Sequence, residues 1–466
     1  MQLSQLLTTV EIAHFGQTFD VALNWIGELI KGLINGVGIV GVGVILFSVI
    51  LKLVVLPFDI FQRISMRKQN IKMKENQERM EKLQKQYANN KDLYNQKVME
   101  MYKESGISMF SSCLPMILSM VIFFVAIGAF NSYSQYANIH NYNLLVNAYN
   151  EKIEDFAPEQ ATEDNIRIEN GTIIIEEAEK PVRIEISVSA ENEANAVEYA
   201  NSVLKYEQRN EDGTVVLAKY IADVEKTIVM YPQLDVDGDD TDSVRIFFQN
   251  QARSAVVAAY DTPERKQNTE FLWIKNVWAT DAAYVHPVLG YSEFTAQLSS
   301  RSDKFSVNGS EVDFSNITKF TTAYKETSYE EVTRGLTAQK NEEPNGYFIL
   351  IALSIGTILL QQFVSMRSQK EQQKYSSVDG QGASSQKTTM VIMTIMFAVF
   401  SFMYSAAFSI YMITSNIVSL LSTLIINKLV DISMSKKEAK ALQEKYNRTL
   451  PGQTAPTAQK GKKNKK

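Results

Sequence analysis

Residues 44–58 read VILFSVILKLVVLPF. They belong to a run from Gly36 to Phe58 in which Lys52 is the one charged side chain. About 20 apolar residues cross the roughly 30 Å hydrocarbon core of a bilayer, so the run reads as a membrane span. An ionisable residue within a span costs about 2.5–3.5 kcal/mol at the helix centre, which makes it by default a candidate functional group. The competing reading is structural. Lys52 is five residues before Pro57, about 7.5 Å along a helix axis, and a four-carbon stem can carry its ammonium to the interface. The segment alone weighs the two readings equally.

The rest of the chain repeats the pattern. The totals are ordinary, 466 residues, 45% hydrophobic, 21% charged and a formal net charge of −5, because the composition is segregated. Residues 32–51, 107–150, 344–366 and 388–427 carry no Asp, Glu, Lys or Arg. They give five expected spans: 37–58, 107–131, 346–366, 388–404 and 408–428, the last two joined by a turn at 405–407. The fold class expected is a polytopic α-helical membrane protein.

Lys and Arg are dense at 59–106, recur between spans three and four at 367–387, and close the tail 429–466 with KGKKNKK. All three segments fall on one side of a five-span path, which the positive-inside rule makes cytoplasmic. The N-terminus and the acidic segment 132–345 are then outside. Residues 19–34 read as an amphipathic helix lying at the outer surface before span one, with Trp25 at headgroup depth. No signal peptide is recognised in the first residues. Within 132–345, the runs GTIIIEE, VRIEISVSA and TVVLAKYIADV alternate as strands and 191–208 has helical spacing, so an inserted α+β domain is expected over about 150–265.

Residues 59–106 are polar and helical, with Met66, Met73 and Met80 seven apart and a break at Ala88-Asn89-Asn90. This predicts a helical hairpin projecting into the cytoplasm. Its flexible methionines suit capture of varied apolar segments, and packing inside the hairpin is the competing role for most of them. The basic tail predicts contact with an anionic partner, either ribosomal RNA or the lipid surface.

Enzyme chemistry finds no support. GxSxG, P-loop, HExxH and dinucleotide fingerprints are all missing, so no catalytic residue and no cofactor are expected. Cys113 is the only cysteine and the three histidines are far apart, which excludes an internal disulfide and predicts no metal centre. LDVDGDDTD, spanning Asp235 to Asp242, resembles a calcium loop only in part. Asp240 occupies the position that needs Gly, and Ile246 the one that needs Glu.

Several stretches, in this order, carry a family resemblance over roughly 20–131 and 270–435. They are VILKLVVLP, the hairpin from RISMRKQ to SSCLP, FLWIKNVWATDAAYVHPVLG, ILIALSIGTILLQQ and AAFSIYMITSN. Together the chain resembles the YidC-type membrane protein insertases, with Lys52 where that family usually carries arginine. Departures include Ser119 and Val121 in place of Gln and Pro, Ser405-Ala406-Ala407 in place of Pro-Ala-Gly, and the large segment between spans two and three. The resemblance implies a hydrophilic groove, open to the cytoplasm and to lipid, in which a cation attracts an acidic or polar tail of the substrate. No nucleotide is consumed. It makes Lys52 the groove cation and Ser119, Tyr411, Thr414 and Asn416 further groove residues. Met66, Met73 and Met80 become hairpin contacts to substrate. The implied partners are nascent membrane proteins and the bilayer, with the ribosome through the tail and the Sec translocation channel as further expectations. A small-solute transporter or channel, or a membrane-anchored sensor using the 150–265 domain, is the alternative.

Overall fold

The computed structural model describes residues 15–106, 110–156, 160–180, 183–203, 208–209, 215–217, 227–230, 241–301, 304–307, 310–368 and 381–448; within these, some side chains, including those of Met66 and residues 110–119, lie outside the description. The Asp235–Asp240 part of the acidic loop, the tail from 449 and the first fourteen residues also lie outside it. The chain divides into two compact units.

The first unit comprises 1–48, 123–356 and 395–413. Helix α1 (Trp25–Val37) starts where Asn24 accepts a 2.8 Å bond from the Gly27 amide, and it ends at Gly38 in the left-handed region (φ 72°). The helix expected from residue 19 therefore begins at Trp25. Phe19 to Asn24 are held non-helical by long-range bonds. The Phe19 amide donates to the Tyr324 hydroxyl (2.8 Å), and its carbonyl accepts from Asn143 Nδ2 (2.7 Å). The amphipathic face is present, with Ile30 and Ile34 buried and Trp25 77% exposed. The start of α2 (Val40–Glu75) packs tightly on it, for a Cβ at Gly43 would lie 2.8 Å from the Ile34 Cα.

Beyond the hairpin helices α3 (Gln77–Gln86) and α4 (Lys91–Glu104), α5 (Phe110–Glu154) runs unbroken for 45 residues. Its later part buries Tyr133, Tyr142, Val146 and Tyr149. β1 (Ile166–Glu169) and β2 (Thr172–Glu176) form a hairpin over Asn170 and Gly171, both left-handed (φ 49° and 75°). That is the twist a two-residue turn requires. β3 (Arg183–Ser187) follows, then the short helices α6 (Ala190–Glu193) and α7 (Ala196–Val203). After the β4 (Gln208–Arg209) and β5 (Val215–Leu217) pair, β6 (Thr227–Met230) closes an antiparallel sheet ordered β1-β2-β3-β6. Ile173, Ile175, Ile184 and Ile186 form its buried centre.

Helix α8 (Thr241–Tyr260) is inside the stretch 150–265 yet packs on α11 (Glu326–Lys340), outside it. Arg253 grips Glu331 with Nε to Oε1 at 2.9 Å and Nη2 to Oε2 at 2.8 Å, above buried Phe248, Ala252, Val332 and Leu336. Between these two helices lie α9 (Pro263–Thr269), α10 (Tyr291–Ser299) and the hairpin of β7 (Lys304–Val307) and β8 (Ser310–Asp313).

Residues 276–281 tie the starts of later helices together. Fully buried Asp281 accepts from the Tyr347 amide (2.8 Å) and the Leu350 amide (2.6 Å), capping α12 (Ile349–Ser368). A carboxylate there satisfies amides that have no partner within the helix and complements the helix dipole. After α13 (Gln381–Met403), the first amides of α14 (Ala406–Arg448) donate to the carbonyls of Ala279 (2.7 Å) and Val277 (2.8 Å). Ser134 of α5 donates to the Trp278 carbonyl at 2.6 Å.

The second unit comprises 49–122, 357–394 and 414–466. It contains α3 folding back on α4 around the buried side chains of Met80 and Met101, with Asn90 capping α4 through the Leu93 amide (3.0 Å). Lys72 Nζ donates to the Gly106 carbonyl (3.1 Å), and Arg79 pairs with Glu104 (3.2 Å).

Among the described residues, three helices are long and apolar enough to cross a membrane: Val40–Glu75, Ile349–Arg367 and Ala406–Ser433. They overlap the first and third expected spans and contain the fifth. Residues 110–131 of the second lie in α5 and residues 388–403 of the fourth in α13, where Thr394–Met403 is a shorter apolar helix.

Candidate functional site

The spanning helices turn their polar side chains inward. On α2, Leu53, Val54, Phe58 and Phe61 are exposed, whereas Lys52, Asp59, Gln62 and Arg63 are half-buried. On α12, Leu359, Leu360 and Phe363 are exposed while Thr357, Gln361, Gln362 and Ser365 are drawn in. On α14, Ile417, Leu421, Leu424 and Ile425 face out, and Ser415, Asn416, Ser419, Ser422 and Thr423 face in. Water would impose the opposite arrangement. Apolar side chains outward suit lipid, and polar ones inward suit a bundle that bonds its helices together or admits water.

Within the second unit the inward groups meet. Asn416 Nδ2 lies 3.4 Å from Thr357 Oγ1, joining α14 to α12. Thr394 Oγ1 donates to Gln362 Oε1 at 2.7 Å, joining α13 to α12. Arg63 Nη2 donates to Thr423 Oγ1 at 3.3 Å, joining α2 to α14. Asn416 and Thr423 are seven residues apart, so they share one helix face.

Lys52 is half-buried on the same unit's part of α2. Asp59 and Arg63, both half-buried, follow it on the same helix. The three are spaced by seven and four residues, which places them within about 40° of arc on one face. Pro57 lies inside the helix between Lys52 and Asp59. It has no amide to offer the Leu53 carbonyl, which leaves one more polar group at that depth.

The structure sorts the remaining expected residues. Asn416 joins the polar contacts. Thr414 is half-buried two residues away, about 200° round the helix from Asn416, off the stripe that reaches Thr423. Tyr411 belongs to the first unit, where it packs among aromatic rings, with centroids 5.4 Å from Phe130 and 5.7 Å from Phe408. The side chains of Ser119 and Met66 lie outside the described residues. Met73 and Met80 are buried, and Met80 receives the Tyr102 hydroxyl at 3.4 Å. Met80 belongs to the α3–α4 hairpin and Met73 to the end of α2. Asp59, Gln62, Arg63, Thr357, Gln362 and Thr394 were not singled out in the sequence. The signal for Asp59 and Arg63 was continuity of helix past Phe58, which carries the Lys52 face into the polar segment 59–106.

A family model described as the 60Kd inner membrane protein matches residues 32–157 and 247–437. A protein named membrane protein insertase YidC from Caldanaerobacter subterraneus is 33% identical over 98 residues, 21% of this chain and 46% of that protein. One of the same name from Fusobacterium nucleatum is 33% identical over 114 residues, 24% of this chain and 54% of the other. A third, from Clostridium perfringens, is 40% identical over 73 residues, covering 16% and 29%. The chain thus spans about half the length of the first two relatives or less. No solved structure matches it. The family model covers well over half of the chain, on both sides of the 158–246 segment, and its matched residues include the membrane-length helices. The chain belongs to the 60Kd inner membrane protein family, the family of the YidC insertases, as a multi-pass bacterial membrane protein.

Proposed function

We propose that this protein inserts other proteins into the bacterial membrane. The observation that carries the reading is the pairing of lipid-suited outer faces with a polar interior holding Lys52. Polar inward faces on α2, α12 and α14 form a groove within a five-span core. A substrate's polar tail exchanges water for side-chain partners there, lowering the cost of bringing unpartnered polar groups into hydrocarbon. Lys52 attracts tails that bear carboxylates, and Asn416 supplies a neutral donor and acceptor. The substrate's apolar segment then leaves sideways into lipid. Binding and partitioning supply the driving force, and no nucleotide is hydrolysed.

The hairpin α3–α4 lies on the cytoplasmic side with the C-terminus, and the N-terminus lies outside. Because Met73 and Met80 are buried, capture by the methionines requires the hairpin to open. The basic tail meets the ribosome or the inner leaflet, and the Sec channel is a further partner. The names of the relatives, membrane protein insertase YidC, support the activity, and the inward polar faces support the route.

The test is complementation. In bacteria depleted of their own insertase, this chain is expected to restore membrane insertion of a single-span protein with a short acidic tail, read by protease protection. Restored accumulation of the chain without restored insertion refutes the proposal.

A further inference from the structure

The charged face of α2 holds more than its cation. Lys52, Asp59 and Arg63 are half-buried on one face, rising about 10 Å and then about 6 Å along the axis. Asp59 to Arg63 is an i,i+4 pair with the acid toward the helix N-terminus, the favourable order. Arg63 is also anchored across to α14 through Thr423 at 3.3 Å. A carboxylate half-withdrawn from water on a membrane-length helix is costly unless cations serve it. It also reduces the attraction that the two cations exert on any incoming anion.

We propose that Asp59 is a specificity-determining residue of the groove: it stands between Lys52 and Arg63 and lowers by one the net positive charge of a stripe that half-buried Arg67 continues, which sets how acidic a substrate tail the groove accepts. The inference rests on the groove reading above. Each successive substrate carboxylate meets less net positive charge and a fixed negative neighbour, so strongly acidic tails gain least. Screening is weak for partly buried charges, so a group about 10 Å away still counts.

The experiment uses the full chain in proteoliposomes and single-span substrates whose short tails carry no, one or three carboxylates. The readout is insertion of the three-carboxylate tail divided by that of the one-carboxylate tail. Asp59→Asn is expected to raise this ratio by up to about tenfold, the scale of one charge at that distance in a partly polar site. Asp59→Glu keeps the charge and is expected to keep the wild-type ratio. An unchanged ratio in Asp59→Asn overturns the inference, as does an equal change in Asp59→Glu, which indicates a packing role. A parallel Lys52→Gln variant separates this from the groove itself. If Lys52→Gln lowers the benefit of one carboxylate over none while Asp59→Asn does nothing, the groove survives and the Asp59 role fails. If neither variant alters any ratio, both fail.

Discussion

Gly346 and Asp281 show how little freedom the start of α12 has. A Cβ on Gly346 would lie 1.9 Å from Asp281 Oδ1 and 2.9 Å from its Cα, and the second is backbone that cannot rotate away. Gly346→Ala is therefore expected to destabilise by about 1–3 kcal/mol, the usual scale of overpacking. Asp281→Ala removes a buried charged acceptor from two amides, each such bond being worth about 1.5–3 kcal/mol. Both should appear as lower unfolding temperatures in detergent, and an unchanged midpoint for either contradicts the capping geometry. Of these residues the sequence displayed only the FLW…D…P pattern. Which helix the aspartate caps is a contact between residues 281 and 350, and local spacing carries no trace of it. Lys52 was legible because it interrupts an apolar run. Asp59 was not, because it sits just past the apolar run, in a polar segment whose shared helix face with Lys52 the change of composition hides.

At the scale of elements, the hairpin offers a clean contrast. Met80 is 2% exposed and Met99 50%. Met80→Ala is expected to cost about 2–5 kcal/mol of local stability, whereas exposed Met99→Ala should stay within about 0.5 kcal/mol. Hydrogen exchange of residues 77–104 reports both, and equal protection in the two variants refutes the packing described. Met80 and the break at Ala88-Asn89-Asn90 are the sequence features that lie on α3 and in the turn between it and α4. What the methionines face was left to tertiary packing.

A second element-level test concerns α8–α9 and α11. Asp261 accepts from Lys340 Nζ (2.8 Å) and pairs with Lys266 (3.1 Å). Lys340 first, and Lys266 with it, hold the Asp261 carboxyl below the usual carboxylate range. A depressed folded-state value means the stabilisation is present above the ordinary carboxylate range and fades as pH falls through the depressed one. The pair is partly exposed, so its worth is below about 1 kcal/mol. Lys340→Met should lower the unfolding midpoint at neutral pH and leave it unchanged in strong acid; an equal loss at both contradicts the ion-pair account.

For the whole molecule, the arrangement of polarity is the informative feature. Charge-free runs announced the membrane class and three of the five spans as helices of sufficient length and apolarity. They did not announce that Asn416 meets Thr357, or that Arg63 reaches Thr423, because those bonds join helices distant in sequence. Tyr411 belongs with Phe130 and Phe408 for the same reason. A tyrosine in a span reads as polar or aromatic until its neighbours are known. The central claim is that the inward polar faces form an insertion route served by Lys52. Its most direct test is insertion of an acidic-tailed single-span protein into proteoliposomes containing wild-type, Lys52→Arg or Lys52→Ala protein at equal amounts. The account predicts near-wild-type insertion with Lys52→Arg and a loss of about tenfold with Lys52→Ala, the scale of one partly buried charge interaction. Full insertion by Lys52→Ala would contradict it.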